Sequence, residues 1–424
     1  MQTLLKEVLK HQVYPAMGCT EPVSVALCAA TAAKEAKGKI ISALIFADHG
    51  TFKNGLGVRI PNTHGEKGNL LAAALGVLIA KPELGMEILK AATPKIVKEA
   101  KELVAKKVVK LRVKDKKGFY IEANIETDKK EKIKCIISQS HTNVSLLQRN
   151  GKILTKNKLH KTQNTFKTKL AACSLKDLIE EAQKADKEDL AYIKKGALMN
   201  LAASKQGAKL KKVGYYLDQL VKKGILSGNI VNSTKILTSR AADARMDGVP
   251  VPVMSSGESG NQGLVAILAP YHVGKANKVK EETILKSIAL SHLLNGYVKA
   301  FTGELAPICG CAIAAGVGAS AAIVFQEKSA DIKAITLAIN NIISDIGGML
   351  CDGAKSGCAL KVVSSVDSAL RAAYMGANHY GITEVEGFVG KTAEETIQNL
   401  SKISNIGMAH VDNTIVDIMQ GKIS

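Results

Sequence analysis

Apolar and polar positions along the 424-residue chain fall into stretches of different period. Residues 2–12 place apolar side chains at helical spacing among charges. The segment from Tyr14 to Pro22 interrupts that run, and Pro22 suits the start of a second helix over VSVALCAATAAKEA. From 39 to 60 the period shortens: IISALIFA is a strand-like apolar run and LGVRI another. Residues 67–104 return to helical spacing. Between about 107 and 150, VVKLRV, GFYIEANI, KIKCIIS and NVSLLQ are short and rich in β-branched or aromatic residues. Turn-like Asp115–Gly118 and Asp128-Lys-Lys separate them, which predicts an antiparallel meander. Residues 151–169 carry six lysines and no acid, the pattern of a linker or exposed loop. Ser174–Asp177 has the form of a capping box. Beyond it, helical periodicity covers 175–185, 187–203, 207–223, 231–246, 279–299, 310–325, 330–346 and 357–375.

The predicted class is α+β. Residues 1–37 are expected as N-terminal helices packing on a helical domain. Residues 38–170 form a smaller antiparallel-sheet domain inserted near the N-terminus, and 171–424 the large helical domain. No internal repeat is visible, nor a phosphate-binding glycine loop or dinucleotide fingerprint.

Composition narrows the partners. Aromatics are 4% of residues and Trp is absent, so aliphatic and small side chains must fill a core of closely packed helices. The formal net charge of +20 is almost all lysine, with arginine at only 59, 112, 149, 240, 245 and 371. Base readout favours Arg and single-strand binding needs aromatic platforms, so the charge reads as a solvated surface that also attracts an anionic substrate. Leu305–Phe325 is uncharged and long enough to cross a bilayer. It is rich in Ala and Gly, holds two cysteines and has no companion span, so a buried central helix is expected. The N-terminus reads as an amphipathic helix and not a signal peptide. The eight cysteines are therefore expected as reduced thiols of a cytoplasmic protein.

Four segments could carry chemistry. GELAPICGC ends at Cys309 and Cys311, and GGMLCDGAKSGC holds Cys351 and Cys358. Their glycines let backbone approach an inorganic centre, and thiolates ligate iron–sulfur clusters and zinc. Three ligands from 309, 351 and 358 would leave one metal position open, as catalysis requires; small buried thiols in helix packing are the alternative. Cys19, in MGCTEP, sits at a helix N-terminus, where the dipole lowers a thiol pKa below about 8.5. It is a candidate nucleophile or base, or an inert core thiol, with Glu21 as a favourable charge beside it. In Ser255–Gly263, SSGESGNQG, the residues Ser256, Ser259 and Asn261 belong to a candidate nest for a carboxylate, or to an ordinary turn before LVAILA. At a strand end, His141, Thr142 and Asn143 are candidates to orient a substrate or move a proton.

Taken together, GCTEP, SHTNV, SGNQG, GELAPICGC and GGMLCDGAKSGCALK resemble the L-cysteine desulfidases, a family related to the α-region of bacterial iron–sulfur L-serine dehydratases. The segments run in the expected order from residue 18 to residue 361. The resemblance implies a [4Fe-4S] cluster on Cys309, Cys351 and Cys358, with one iron lacking a protein ligand. Cys311 competes with Cys309 for that role. Cys351 and Cys358 lie closer together than the matching ligands of the dehydratases, so Cys358 is where the pattern departs. The resemblance also implies Cys19 as proton acceptor, in a lyase independent of pyridoxal phosphate that degrades L-cysteine to pyruvate, ammonia and sulfide by α,β-elimination. L-serine dehydration is the alternative within enzymology. A basic iron–sulfur or zinc protein that binds nucleic acid is the rival of another class. The partners implied are a small amino-acid substrate, no nucleic acid and no membrane, with a homo-oligomer left open.

Overall fold

The computed structural model describes residues 3–116, 118–157, 166–303 and 305–422. A six-stranded sheet occupies the N-terminal third. In chain order its strands are β2 (Ile40–Ala47), β3 (Val109–Val113), β4 (Tyr120–Thr127), β5 (Lys132–Ser138), β6 (Val144–Arg149) and β7 (Lys152–Lys156); two further short strands, β1 (Pro15–Ala16) and β8 (Val253–Met254), pair with each other. The sheet order is β3-β2-β4-β5-β6-β7, with β2 and β3 parallel and the other neighbours antiparallel. The meander expected over 107–150 therefore begins only at β4. VVKLRV does not pair with the next strand, because β2 lies between them and its Ala43–Ala47 bonds both β3 and β4. A parallel β2–β3 pair needs a long crossover. Helices α3 (His49–Leu56), α4 (Asn69–Ile79) and α5 (Pro94–Ala105) supply it.

Two other sequence expectations change here. LGVRI is no strand: Leu56 ends α3, and Arg59 makes one isolated bridge to Lys67. The lysine-rich stretch contributes edge strand β7 and helix α6 (Phe166–Ala171), while its residues 158–165 lie outside the described residues.

Helix α1 (Leu4–Gln12) buries Leu5, Val8 and Leu9 in the helical core, but α2 (Thr20–Lys34) buries Val23 to Ala33 in the sheet core. Contrary to the sequence expectation, α2 thus belongs with the sheet. Small residues permit this: a Cβ on Gly76 of α4 would stand 2.1 Å from the Ala26 carbonyl oxygen, so the α2 and α4 backbones nearly touch.

The rest is helical: α7 (Leu175–Gln183), α8 (Lys187–Gly207), α9 (Val213–Lys222), α10 (Ile230–Met246), α11 (Gly260–Ala276), α12 (Glu281–Thr302), α13 (Ala314–Lys328), α14 (Ile332–Ile346), α15 (Cys358–Ala377), α16 (Ala393–Lys402) and α17 (Val411–Gln420). The Ser174 capping box is formed as expected, with Ser174 and Asp177 each accepting from the other's backbone N–H. The apolar run from Leu305 becomes a loop up to Ile313 and then α13, which is buried from Ala314 to Phe325. Among the described residues no helix is long and apolar enough to cross a membrane. The architecture is α+β, as the periodicity predicts.

Candidate active site

A cavity lies where the sheet region meets the helical region. The N-terminus of α2, helix α3 and the β5–β6 loop form one wall; the ends of α10 and α12, the start of α11 and two cysteine loops form the other.

One antiparallel bridge, Ile308 to Leu350, places the cysteine loops. The Cys309 N–H donates to the Met349 carbonyl at 2.8 Å, and the Cys351 N–H to the Pro307 carbonyl at 2.7 Å. Cys358 opens α15, and its sulfur accepts from the Lys355 backbone N–H at 3.4 Å. Lys53 is buried and holds the second loop through the Cys351 carbonyl, at 2.7 Å, and Asp412 of α17, at 2.5 Å. Lys361 likewise bonds the Leu350 carbonyl and Asp352. Both lysine charges lie close to thiols.

All three thiols face the cavity and feel one another. The Cys311 thiol beside it and burial raise the Cys309 pKa; burial and the Cys309 thiol raise that of Cys351, against Lys53. Burial, with Cys309 and Cys351 nearby, pushes Cys358 up to about 11. Cys311 also lines the cavity, 3.9 Å from the Ser259 hydroxyl. It is Cys309 that both Cys351 and Cys358 sense. Crowded thiols that resist ionisation together are suited to a cationic centre, which reverses the penalty and deprotonates its ligands. Among the described residues no three Cys, His, Asp or Glu side chains converge as ligands of a single ion. A cluster does not ask for that, because each thiolate binds a different iron. Three thiols on one cavity are the donor chemistry that an iron–sulfur cluster uses.

The opposite wall carries acid–base groups. Cys19 is the N-cap of α2, as its sequence position predicts, but the helix terminus does not decide its ionisation. Its thiol donates to the Glu21 carboxylate at 2.9 Å; burial and the Glu21 charge push its pKa well above the ordinary value, against the nearby Arg245. The expected lowering is overturned because desolvation and a like charge outweigh the dipole. Glu21 also accepts from Asn54 at 2.9 Å, and although burial opposes it, His141, Cys19 and Asn54 keep its pKa below the usual value.

His141 is buried against Phe119, with ring centroids 4.5 Å apart. Its Nδ1 lies 3.3 Å from Glu258, and its Nε2 has no hydrogen-bond partner among the described residues. Glu258 reaches it from a turn in which Gly257 and Glu258 both have positive φ, an uncommon conformation for a glutamate that is typical of functional sites. Burial disfavours the Glu258 charge, yet His141, Lys167 and Lys299 hold its pKa down to about 2.

The structure divides the sequence candidates. Cys19, His141, Ser259, Asn261, Cys309, Cys351 and Cys358 share the cavity. Ser256 does not reach it: its hydroxyl is fully buried between His292 Nδ1, at 2.8 Å, and Asn295 Nδ2, at 2.9 Å, where it fastens the loop. Thr142 and Asn143 face an adjoining cleft with Phe166 and Lys167, and the Asn143 amide closes its own turn onto the Ser138 carbonyl at 3.0 Å. They point away because residues next to each other in the turn after β5 cannot all face one side. Sequence reasoning missed Lys53, Arg245, Lys299 and Lys361, and it left Glu258 unremarked inside the loop it singled out. Arginine scarcity was the available signal for Arg245: a chain that uses so few places one of them, 3% exposed, in this cavity.

Residues 83–417 match the family described as serine dehydratase alpha chain. That stretch contains Cys309, Cys351 and Cys358, while Cys19 and Glu21 lie ahead of it. A UPF0597 protein of Elusimicrobium minutum is 67% identical, covering 99% of both chains. A UPF0597 protein of Geobacter sulfurreducens is 50% identical, covering 100% of this chain and 99% of its own. One from Clostridium tetani is 40% identical over 98% of each. No solved structure matches significantly.

Proposed function

The chain belongs to the serine dehydratase alpha chain family, and from that premise we propose that it is an iron–sulfur lyase acting on a small β-substituted amino acid, with L-cysteine as substrate. The observation that carries this reading is the meeting of three thiols with an acid–base pair across one cavity: Cys309, Cys351 and Cys358 on one wall, Cys19 and Glu21 on the other. In the proposal the three thiols hold a [4Fe-4S] cluster. Its iron without a protein ligand supplies Lewis acidity toward the β-substituent.

The chain's own residues do the rest. Cys19, oriented by its hydrogen bond to Glu21, removes the substrate α-proton as thiolate. Arg245, whose charge opposes the rise in the Cys19 pKa, favours that thiolate. The Cβ–S bond breaks with its electron pair leaving on sulfur, so sulfide and aminoacrylate form. Aminoacrylate tautomerises to the imine, and water releases pyruvate and ammonia. Ser259, Asn261 and His141 line the space a substrate would occupy. Lys53 and Lys361 hold the second cysteine loop in place.

Serine dehydration remains the second reading, favoured by the family match itself. The experiment is anaerobic purification followed by assay of iron, labile sulfide and turnover. The expected result is iron and sulfide in equal amounts, with sulfide and pyruvate released from L-cysteine faster than pyruvate from L-serine. The reverse preference establishes the dehydratase. Cluster-loaded protein that attacks neither amino acid sinks the lyase assignment.

A further inference from the structure

Arg245, in the last turn of α10, lines the cavity with 3% of its surface exposed. Every other cation on this wall or opposite it is engaged: Lys53 with Asp412, Lys361 with Asp352, and Lys299 with the Gly257 carbonyl. The Arg245 guanidinium has no hydrogen-bond or ion-pair partner among the described residues, and its Nε is a buried donor left unmade. A buried guanidinium without a counter-charge is costly, and proteins keep one where an anion arrives to complete it. Its planar fork matches a carboxylate with two parallel hydrogen bonds, which a lysine cannot do.

Gly260 makes room for it. A Cβ there would stand 2.3 Å from Arg245 Nε. Nearby, the Asn261 and Gln262 side-chain carbonyl oxygens are also buried, in the same cavity and without donors among the described residues. A cation lacking an anion beside acceptors lacking donors is the imprint of a zwitterion.

We propose that Arg245 is the anchor for the substrate's α-carboxylate, which selects α-amino acids over amines and thiols lacking that group. The assignment rests on the lyase reading for the identity of the substrate, and it replaces the Ser255–Gly263 loop as the main carboxylate site. Arg245 is close enough to Cys19 for its charge to be felt there. A carboxylate on Arg245 therefore sets the α-carbon beside the base and turns the β-substituent toward Cys309, Cys351 and Cys358.

The test uses anaerobically purified, cluster-loaded protein and its Arg245→Gln and Arg245→Lys variants, with folding checked by circular dichroism. Titration calorimetry with 3-mercaptopropionate, which keeps thiol and carboxylate, is set against cysteamine, which lacks the carboxylate. Arg245→Gln is expected to weaken 3-mercaptopropionate and raise the L-cysteine KM by roughly 100-fold, with cysteamine binding within about threefold of the parent. Arg245→Lys, which keeps the charge without the fork, is expected to lose roughly tenfold, and it carries the test if Arg245→Gln does not fold. A folded variant that binds 3-mercaptopropionate as tightly as the parent overturns the anchor, and if it still turns over L-cysteine the lyase reading survives. Loss of 3-mercaptopropionate binding in the variant of a parent that turns over no amino acid leaves the anchor standing and removes the lyase reading.

Discussion

The two walls of the cavity are built by opposite means. On the helical side the thiols stand on glycine-flanked loops held by one bridge, Ile308 to Leu350, and by the lysines Lys53 and Lys361. On the sheet side Cys19 and Glu21 open α2, a helix buried on every face, and His141 is wedged between Phe119 and Glu258. The loop wall is set by backbone bridges and lysine ties; the helix wall is set by close packing of α2. That contrast suits the proposed division of labour between holding a cofactor and moving a proton. It can be broken by asking whether damage to one wall spares the other.

The largest effect is expected on the loop wall. Cys351→Ser should strip most of the bound iron and lower turnover by roughly 1,000-fold, the loss of several kcal/mol of Lewis-acid assistance. Far-UV circular dichroism should be unchanged. Cys311→Ser should keep iron and at least half the activity, and a reversed outcome between Cys309→Ser and Cys311→Ser would exchange their roles.

On the helix wall, Cys19→Ala should keep the full iron content while kcat falls by roughly 10²–10⁴-fold. A Cys19→Ala protein with intact cluster and parental rate would remove the base assignment. Because burial and Glu21 raise the Cys19 pKa, the parental kcat/KM should climb toward alkaline pH. Glu21→Gln removes the like charge and should move that rise to lower pH, as a pH–rate profile would record.

Glu258 joins the walls, and its effect is on stability. Its carboxyl is held near 2 in the folded chain, below its ordinary value of 4.5. A depressed carboxyl contributes stability that is fully present above 4.5 and is lost as pH falls from 4.5 toward 2. Glu258→Gln should cost roughly 3 kcal/mol at neutral pH, since it removes the buried carboxylate that His141, Lys167 and Lys299 surround. It should also flatten the pH dependence of the urea midpoint below 4.5. An unchanged midpoint would mean that the Glu258 network contributes nothing net. The smallest effect belongs to Thr142→Ala, which faces the adjoining cleft: stability should change by less than about 0.5 kcal/mol and KM by less than about twofold. A large rise in KM would return Thr142 to the substrate site.

Much of this was legible in the chain because it is local. The period of apolar positions marked β2, β4–β6 and most helices from α7 onward, the Ser174 box marked the start of α7, and clustered glycines and thiols marked the loops around Cys309, Cys351 and Cys358. Each depends on neighbours within a few residues, so a single sequence contains it. Tertiary structure alone decided the rest. Strand β2 entered between β3 and β4 because long-range pairing, not loop length, sets sheet order. Cys19 became a harder acid to ionise, although its helix position argues the reverse, because desolvation and Glu21 act through space. Ser256 and Thr142 turned from the cavity while Ser259 and His141 entered it, a matter of which way a turn faces. Arg245 gained its meaning only from the absence of a counter-charge among the described residues, and a sequence records which charges exist but not which of them meet.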